Sequence, residues 1–217
     1  MKDPLIDTLL SAARATSIPE AWSGLWFVEK TEVKMMQPVP YRGGTSLLPA
    51  GIYTALYRMT DSTMMNWPPS EVVMEDTPFE LKTHLQFMLK ARGNVLVTGL
   101  GLGCVTRGLL ANPAIHHVTC IEKSADVLKL VQPYMPQTNR LSVIHADALE
   151  WTAATKQVFD YAWHDLWTNK DAGEPFLDKW HTQLIFNCRN KVKNQGAWRY
   201  ERTFKRFLAA KQIKLVA

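Results

Sequence analysis

Three alternating glycines, Gly99, Gly101 and Gly103, follow the apolar run Val95-Leu-Val-Thr98, and a carboxylate, Glu122, closes the next apolar run, Val118-Thr-Cys-Ile121. Glycine lets the backbone take turns that a Cβ forbids and lets a ligand approach the main chain. A carboxylate at the tip of the second strand, about 20 residues beyond such a loop, is where a doubly wound fold holds the hydroxyls of an adenosine ribose. Two more acids stand at candidate strand ends: Asp147 follows Leu141-Ser-Val-Ile-His145, and Asp165 closes Phe159-Asp-Tyr-Ala-Trp-His164. Asp165 falls at the carboxyl end of its strand, over the crevice where these folds bind ligands, and is expected to carry chemistry there. His164 beside it titrates near neutrality and is a candidate base for an acceptor. If the strand continues, His164 and Asp165 point to opposite faces and only one of them meets the ligand.

The glycine spacing narrows the ligand. A dinucleotide fingerprint needs G-x-G-x-x-G, and here Cys104 or Thr106 occupies the last position. The pattern G-x-G-x-G followed by an acidic strand end resembles instead the cofactor site of the class I S-adenosylmethionine-dependent methyltransferases. The same fold serves the polyamine aminopropyltransferases, the spermidine synthases, which use decarboxylated S-adenosylmethionine. Phe159 to Asp165 is similar to the fourth strand of that superfamily, and the resemblance covers roughly residues 93 to 167. It implies S-adenosyl-L-methionine or its decarboxylated form as cofactor, with Gly99, Leu100, Gly101 and Gly103 around the methionine end. It further implies Glu122 and Lys123 at the ribose, Asp147 and Ala148 at the adenine, and Asp165 or His164 orienting the acceptor. Asp147 suits a helix N-cap equally well, because Asp is favoured there and Ala148-Leu-Glu-Trp151 follows. Two positions depart from the pattern. Most methyltransferases have an acid where this chain has Val97, and the synthases usually have one where it has Leu102.

The elements that must position these groups divide the chain into an N-terminal extension, residues 1–77, and an α/β domain, residues 78–217. The domain is expected to be a Rossmann-like, doubly wound parallel sheet, with Cys104–Ala111 as the helix after the loop, ended by Asn112-Pro113. Thr77-Pro78-Phe79-Glu80 is a capping box with proline at the first helical position, so a helix runs from Pro78 to about Ala91. Upstream, the sequence suggests a short helix over Leu5–Ala15, a strand over Trp26–Met36 and a turn at Tyr41-Arg-Gly-Gly-Thr. It then suggests a β-hairpin, Leu48–Met59 with Ser70–Glu75, whose loop holds Trp67-Pro68-Pro69. Such an entry is similar to that of the spermidine synthases, where it helps to cover the substrate; on its residues alone it could equally cap the sheet. After the fourth strand, Glu174–Val192 and Arg199–Lys211 read as amphipathic helices, so the sheet is expected to be shortened at its C-terminal side.

Composition sets limits on the function. The 217 residues, 47% of them apolar and 21% charged, can bury a sizeable core. No apolar run approaches the roughly 20 residues that span a bilayer, and the N-terminus does not read as a signal peptide, so a cytoplasmic protein without a membrane partner is expected. Three cysteines without C-x-x-C spacing predict neither a disulfide framework nor a zinc site, and no histidine spacing suggests a metal. Nine basic residues against one acid, Glu201, lie between Arg189 and Lys214, interleaved with Trp198, Tyr200, Phe204 and Phe207. That tail could grip a phosphate backbone or form a solvated helix face. The aromatics Trp163, Trp167, Trp180 and Trp198 could stack a base or a polyamine, although large aromatics are usually core. Three functions follow in order: a methyltransferase-like enzyme with an unspecified acceptor, an aminopropyltransferase-like enzyme, or a non-catalytic nucleoside-binding protein with a basic nucleic-acid-binding tail. The partner is a small-molecule acceptor or a nucleic acid, and a homodimer is compatible with either.

Overall fold

The computed structural model describes residues 3–41, 44–59, 70–166 and 177–197. In chain order its elements are α1 (Pro4–Ala12), β1 (Ala21–Ser23), β2 (Trp26–Val33), β3 (Gln37–Tyr41), β4 (Gly44–Leu48), β5 (Gly51–Met59) and β6 (Ser70–Glu75). There follow α2 (Pro78–Lys90), β7 (Gly93–Thr98), α3 (Cys104–Ala111), β8 (Ile115–Glu122), α4 (Ala125–Val131) and β9 (Leu141–His145). The last are α5 (Ala148–Ala154), β10 (Phe159–His164), α6 (Leu177–Cys188) and β11 (Val192–Ala197).

Five strands form a parallel sheet in the order β11-β10-β7-β8-β9. The order reverses beside β7, which puts the glycine loop at the switch point where doubly wound sheets bind ligands. Alternation along β7 assigns the two faces. Val95 and Val97 pack with Leu9, Met88, Leu109 and Leu130 of α1 to α4, whereas Leu96 packs with Ala148, Leu184 and Cys188 of α5 and α6. The helix starts are capped locally: Asp3 accepts from Leu5 N at 2.9 Å, Thr77 from Glu80 N at 3.5 Å, and Ser124 from Val127 N at 3.2 Å.

Two expectations are corrected here. The strand β11 begins at Val192, where the expected helix over Glu174–Val192 was to end, and takes up the segment read as a break between two helices, so a fifth strand pairs in parallel with β10. Its sequence, Val-Lys-Asn-Gln-Gly-Ala, hides it. The buried face carries a polar Gln195, satisfied by hydrogen bonds, and Gly196 lies close under the Trp163 ring, where a Cβ would stand 3.1 Å from it. Upstream, the expected hairpin is part of a four-stranded antiparallel sheet, β1-β2-β5-β6, accompanied by a separate β3–β4 hairpin. The basic helix read at Arg199–Lys211, together with Trp67, Trp167 and Trp198, lies outside the described residues. Of the tryptophans considered for stacking, Trp163 is buried and Trp180 exposed. Among the described residues no helix is long and apolar enough to cross a membrane.

The antiparallel sheet is not an independent body. Leu9, Ala13, Ile18, Val28 and Leu56 share one buried cluster with Val105 and Leu109 of α3. Asp76, fully buried, fastens the junction. Its carboxylate accepts from Arg14 Nε at 2.9 Å, from Ala15 N at 2.9 Å and from Thr54 N at 2.8 Å, just before α2 begins. Removing one partner of a buried charged cluster leaves the others desolvated and unpaired. Asp76→Ala is therefore expected to cost about 3 kcal/mol, as an equivalent shift in urea-unfolding midpoint; a loss below about 1 kcal/mol would show that the junction does not depend on this carboxylate.

Candidate functional site

At the end of β7 the chain turns on three left-handed glycines, Gly99 at φ 92°, Gly101 at 51° and Gly103 at 75°. At Gly99 the requirement is also steric, since a Cβ would run into the backbone carbonyl of Asp165. The ends of β7 and β10 thus lie backbone against backbone, tied by Asp165 N donating to Thr98 O at 2.9 Å. On the other side Gly99 N donates to Ile121 O at 2.8 Å, which pins the loop to β8 as well.

Glu122, at the carboxyl end of β8, bridges the loop to α4. Its Oε2 accepts from Leu100 N at 2.8 Å and its Oε1 from Ser124 N at 2.7 Å. A carboxylate has about four acceptor sites, so both oxygens keep capacity for the hydroxyls of a ribose. Beyond it, Lys123 Nζ reaches Asp147 Oδ2 at 2.8 Å. Asp147 Oδ1 caps α5 by accepting from Leu149 N at 2.8 Å and Glu150 N at 3.4 Å. The hydrogen bond from Lys123, followed by these backbone donors, holds the Asp147 carboxyl below its ordinary pKa against the opposing effect of partial burial. Asp147 is thus an N-cap in this structure, and Ala148 is buried behind it. Glu122, Lys123 and Asp147 form one continuous rim along the ends of β8 and β9.

On the β10 side the two candidates part company. Asp165 retains some exposure, while desolvation, first, and the nearby Glu80 carboxylate, second, raise its pKa well above the usual range. The Trp163 indole N–H opposes that rise, although it is buried and meets no acceptor in full hydrogen-bond geometry among the described residues. His164 points the other way, into the interior, and is fully buried. Its Nδ1 lies 3.0 Å from Thr98 Oγ1 and its Nε2 3.1 Å from Gln195 Oε1. Gln195 in turn donates to Ile185 O at 3.4 Å, which orients its amide and assigns the imidazole proton to Nε2. Burial lowers the His164 pKa to about 4 despite the Gln195 bond. With both nitrogens engaged, His164 ties three strands together and is not placed to take a proton from an acceptor.

Two residues that sequence reasoning did not single out join the site. Glu80, read only as a capping residue, also bears on Asp165 through its charge. Met74, near the end of β6, lies on the glycine loop: its Sδ accepts from Leu102 N at 3.2 Å. Neither has a local sequence signal, because each meets the loop only after the antiparallel sheet docks.

No known protein-family profile matches the chain. A curated relative, the polyamine aminopropyltransferase of Buchnera aphidicola subsp. Schizaphis graminum (strain Sg), is 24% identical over 110 residues, covering 48% of this chain and 37% of that protein. The chain thus matches little more than a third of that relative's length. Solved structures of similar fold are mostly class I S-adenosylmethionine-dependent methyltransferases, together with spermidine synthase. Spermidine synthase from Thermotoga maritima matches with a TM-score of 0.45 and 16% identity, covering 83% of this chain and 65% of that one. The N-methyltransferase NodS from Bradyrhizobium japonicum WM9, in complex with S-adenosyl-L-homocysteine, matches with a TM-score of 0.40 and 21% identity, over 53% of this chain and 57% of that one. These likenesses concern the fold alone.

The buried imidazole gives a pH signature. Above its unfolded value, near 6.5, His164 is neutral in both states and its burial is without electrostatic cost. As pH falls from 6.5 towards 4 the unfolded chain binds a proton that the folded chain refuses, so stability drops, by roughly 3 kcal/mol at full extent. Urea unfolding at neutral pH and at acid pH in that window should show this loss in the wild type and much less of it in His164→Asn. Equal slopes in the two proteins would assign the acid sensitivity elsewhere.

Proposed function

We propose that this protein is a transferase that binds an S-adenosylmethionine-type sulfonium at the Gly99–Gly103 loop and passes a carbon group to an amine held beside Asp165. The observation that carries the reading is the alignment of the loop, Glu122 and Asp165 at the carboxyl ends of adjacent parallel strands, with Gly99 bare against the Asp165 carbonyl. Glu122 would hold the ribose hydroxyls through its remaining lone pairs, with Leu100 and Lys123 beside it. Asp147 and Ala148 would border the adenine. The three left-handed glycines shape the loop rather than open it, since a Cβ at each would meet the protein itself, at the Asp165 carbonyl, Met74 Sδ and Met135 Sδ in turn. Residues 78–217 would form the cofactor-binding part and residues 1–77 its cover.

When bound, a sulfonium of this kind supplies an electrophilic carbon and leaves as a neutral thioether. The chain's own part is positioning, which can supply much of the rate, and disposal of the proton released by the nitrogen. Asp165 suits that second role, because a carboxylate whose pKa is raised by burial and by Glu80 is a better base than an ordinary one. The same two carboxyls favour a cationic amine as the arriving partner. Methyl transfer is the first reading. Aminopropyl transfer from the decarboxylated cofactor is the second, favoured by the paired acids Glu80 and Asp165 beside a loop that carries no acid of its own, with Val97 and Leu102 at the two positions concerned.

Calorimetric titration with S-adenosylmethionine, its decarboxylated form, S-adenosylhomocysteine, methylthioadenosine and NAD tests this. Adenosyl thioethers and sulfoniums should bind and NAD should not, and Glu122→Ala should weaken binding on the order of tenfold or more. Asp165→Asn should keep that binding while lowering turnover of an amine acceptor on the order of a hundredfold. Tighter binding of NAD, or indifference to Glu122→Ala, would sink the assignment of the loop; full turnover by Asp165→Asn would remove Asp165 from the chemistry.

A further inference from the structure

The proposed function leaves open which tail the sulfonium carries, a methionyl group with its carboxylate or a shorter group without one. Resting on that reading, we propose that Met74 is a specificity-determining residue that closes the tail end of the glycine loop to an anionic group. The Met74 side chain fills the space against Gly101: a Cβ at that glycine would stand 2.7 Å from Met74 Sδ and 3.5 Å from its Cε. The same sulfur accepts the Leu102 N–H at 3.2 Å. This N–H belongs to the last turn of chain before α3, among the main-chain donors that a loop of this kind offers to an anion.

A thioether is a weak, neutral acceptor. A carboxylate bonds a backbone N–H far more strongly, through a charge-assisted hydrogen bond, but to reach this one it must first displace Met74. The side chain is anchored for a reason remote from the loop. It projects from β6, whose partner strand β5 is paired through Leu56↔Met74 and Ala55↔Glu75, and two residues further on Asp76 locks the chain to Arg14, Ala15 and Thr54. Swinging Met74 away therefore works against a fixed strand, with only its own rotamers to yield. The N–H belongs to Leu102, whose side chain is fully buried and uncharged; the guanidinium of Arg107 lies beyond it, beside Gly103. A nucleoside whose sulfur bears only a methyl group leaves Met74 where it is.

The test compares two stable probes, S-adenosylhomocysteine, which has the carboxylate, and methylthioadenosine, which lacks the whole amino-acid tail. The wild type should bind methylthioadenosine at least as tightly as S-adenosylhomocysteine. Met74→Ala should tighten S-adenosylhomocysteine about tenfold relative to methylthioadenosine, because specificity is the ratio of the two affinities and only one ligand gains space and a freed donor. Met74→Leu, which keeps the volume, should stay within about threefold of the wild-type ratio. A tenfold wild-type preference for S-adenosylhomocysteine overturns the proposal without recourse to any variant. So does an unchanged ratio in Met74→Ala that still binds methylthioadenosine, or a Leu variant that shifts as far as Ala. If the wild type binds neither probe, the reading of the loop as a sulfonium-nucleoside site fails, and this proposal falls with it; binding of methylthioadenosine with an unmoved ratio removes Met74 alone.

Discussion

Everything at the site depends on two strand ends being allowed to touch. Gly99 has no side chain, so the Asp165 carbonyl can occupy the space a Cβ would need, and β7 and β10 run parallel to their very tips with Asp165 N bonded to Thr98 O. Any residue but glycine would have to push β10 away and open the sheet where it must be tightest. The approach is enforced from below by Thr98, His164 and Gln195, one polar line across three strands, 3.0 and 3.1 Å between partners. Buried polar groups that satisfy one another rigidify and fix register. His164 closes β10 pointing inward, and Asp165, just past the strand end, lies half-buried with its carbonyl against Gly99.

The second constraint lies in the N-terminal sheet. A fold of this type needs only its parallel strands to make a glycine loop, yet here two groups that border the loop, Met74 and Glu80, come from segments before β7. Their positions follow from Asp76, between them in sequence, whose carboxylate gathers three donors from two separate segments. Immediately after it Thr77 caps α2 and aims the first turn, with Glu80 in it, at the end of β10. One buried carboxylate therefore fixes both the strand that covers the loop and the helix that faces Asp165. This explains how a sheet remote in sequence becomes part of the site.

The chain reveals its parallel core more readily than its edges. Val95 to Glu122 announces strand, loop, helix and strand because β-branched residues, three glycines and a terminal acid all agree on one arrangement. The helix from Pro78 is legible for the same reason, with Thr77, Pro78 and Glu80 each in its preferred place. By contrast Val192 to Ala197 reads as a breaker, since Asn, Gln and Gly carry no apolar alternation. Its strand character comes from what neighbours provide: an imidazole for Gln195 and an indole face for Gly196. The role of Met74 is illegible too. An apolar residue in a β-run looks like core, and only the packed structure shows its sulfur on a backbone N–H across a gap of 28 residues. His164 shows the reverse case: the residue type suggests chemistry, and burial reassigns it to structure.

Charge is distributed around the loop in a way that bears on the choice between the two transfers. On the proposed reading the tail end meets Leu102 and Met74, both neutral, with Arg107 beside Gly103, whereas the acceptor side meets Asp165 and Glu80, both acidic. Burial first, and the Glu80 charge second, already raise the Asp165 pKa, and the carboxylate of a methionyl tail would add a further negative group nearby. A tail ending in an amine would relieve that repulsion, as would an amine acceptor, and the two effects are not independent, since each cation offsets the same pair of acids. Arg107 is a cation beside the loop, its Nε 3.6 Å from where a Cβ at Gly103 would stand, so on the proposed reading a carboxylate-bearing tail is not without a counter-charge, and the choice between the two transfers turns on whether Met74 leaves it room.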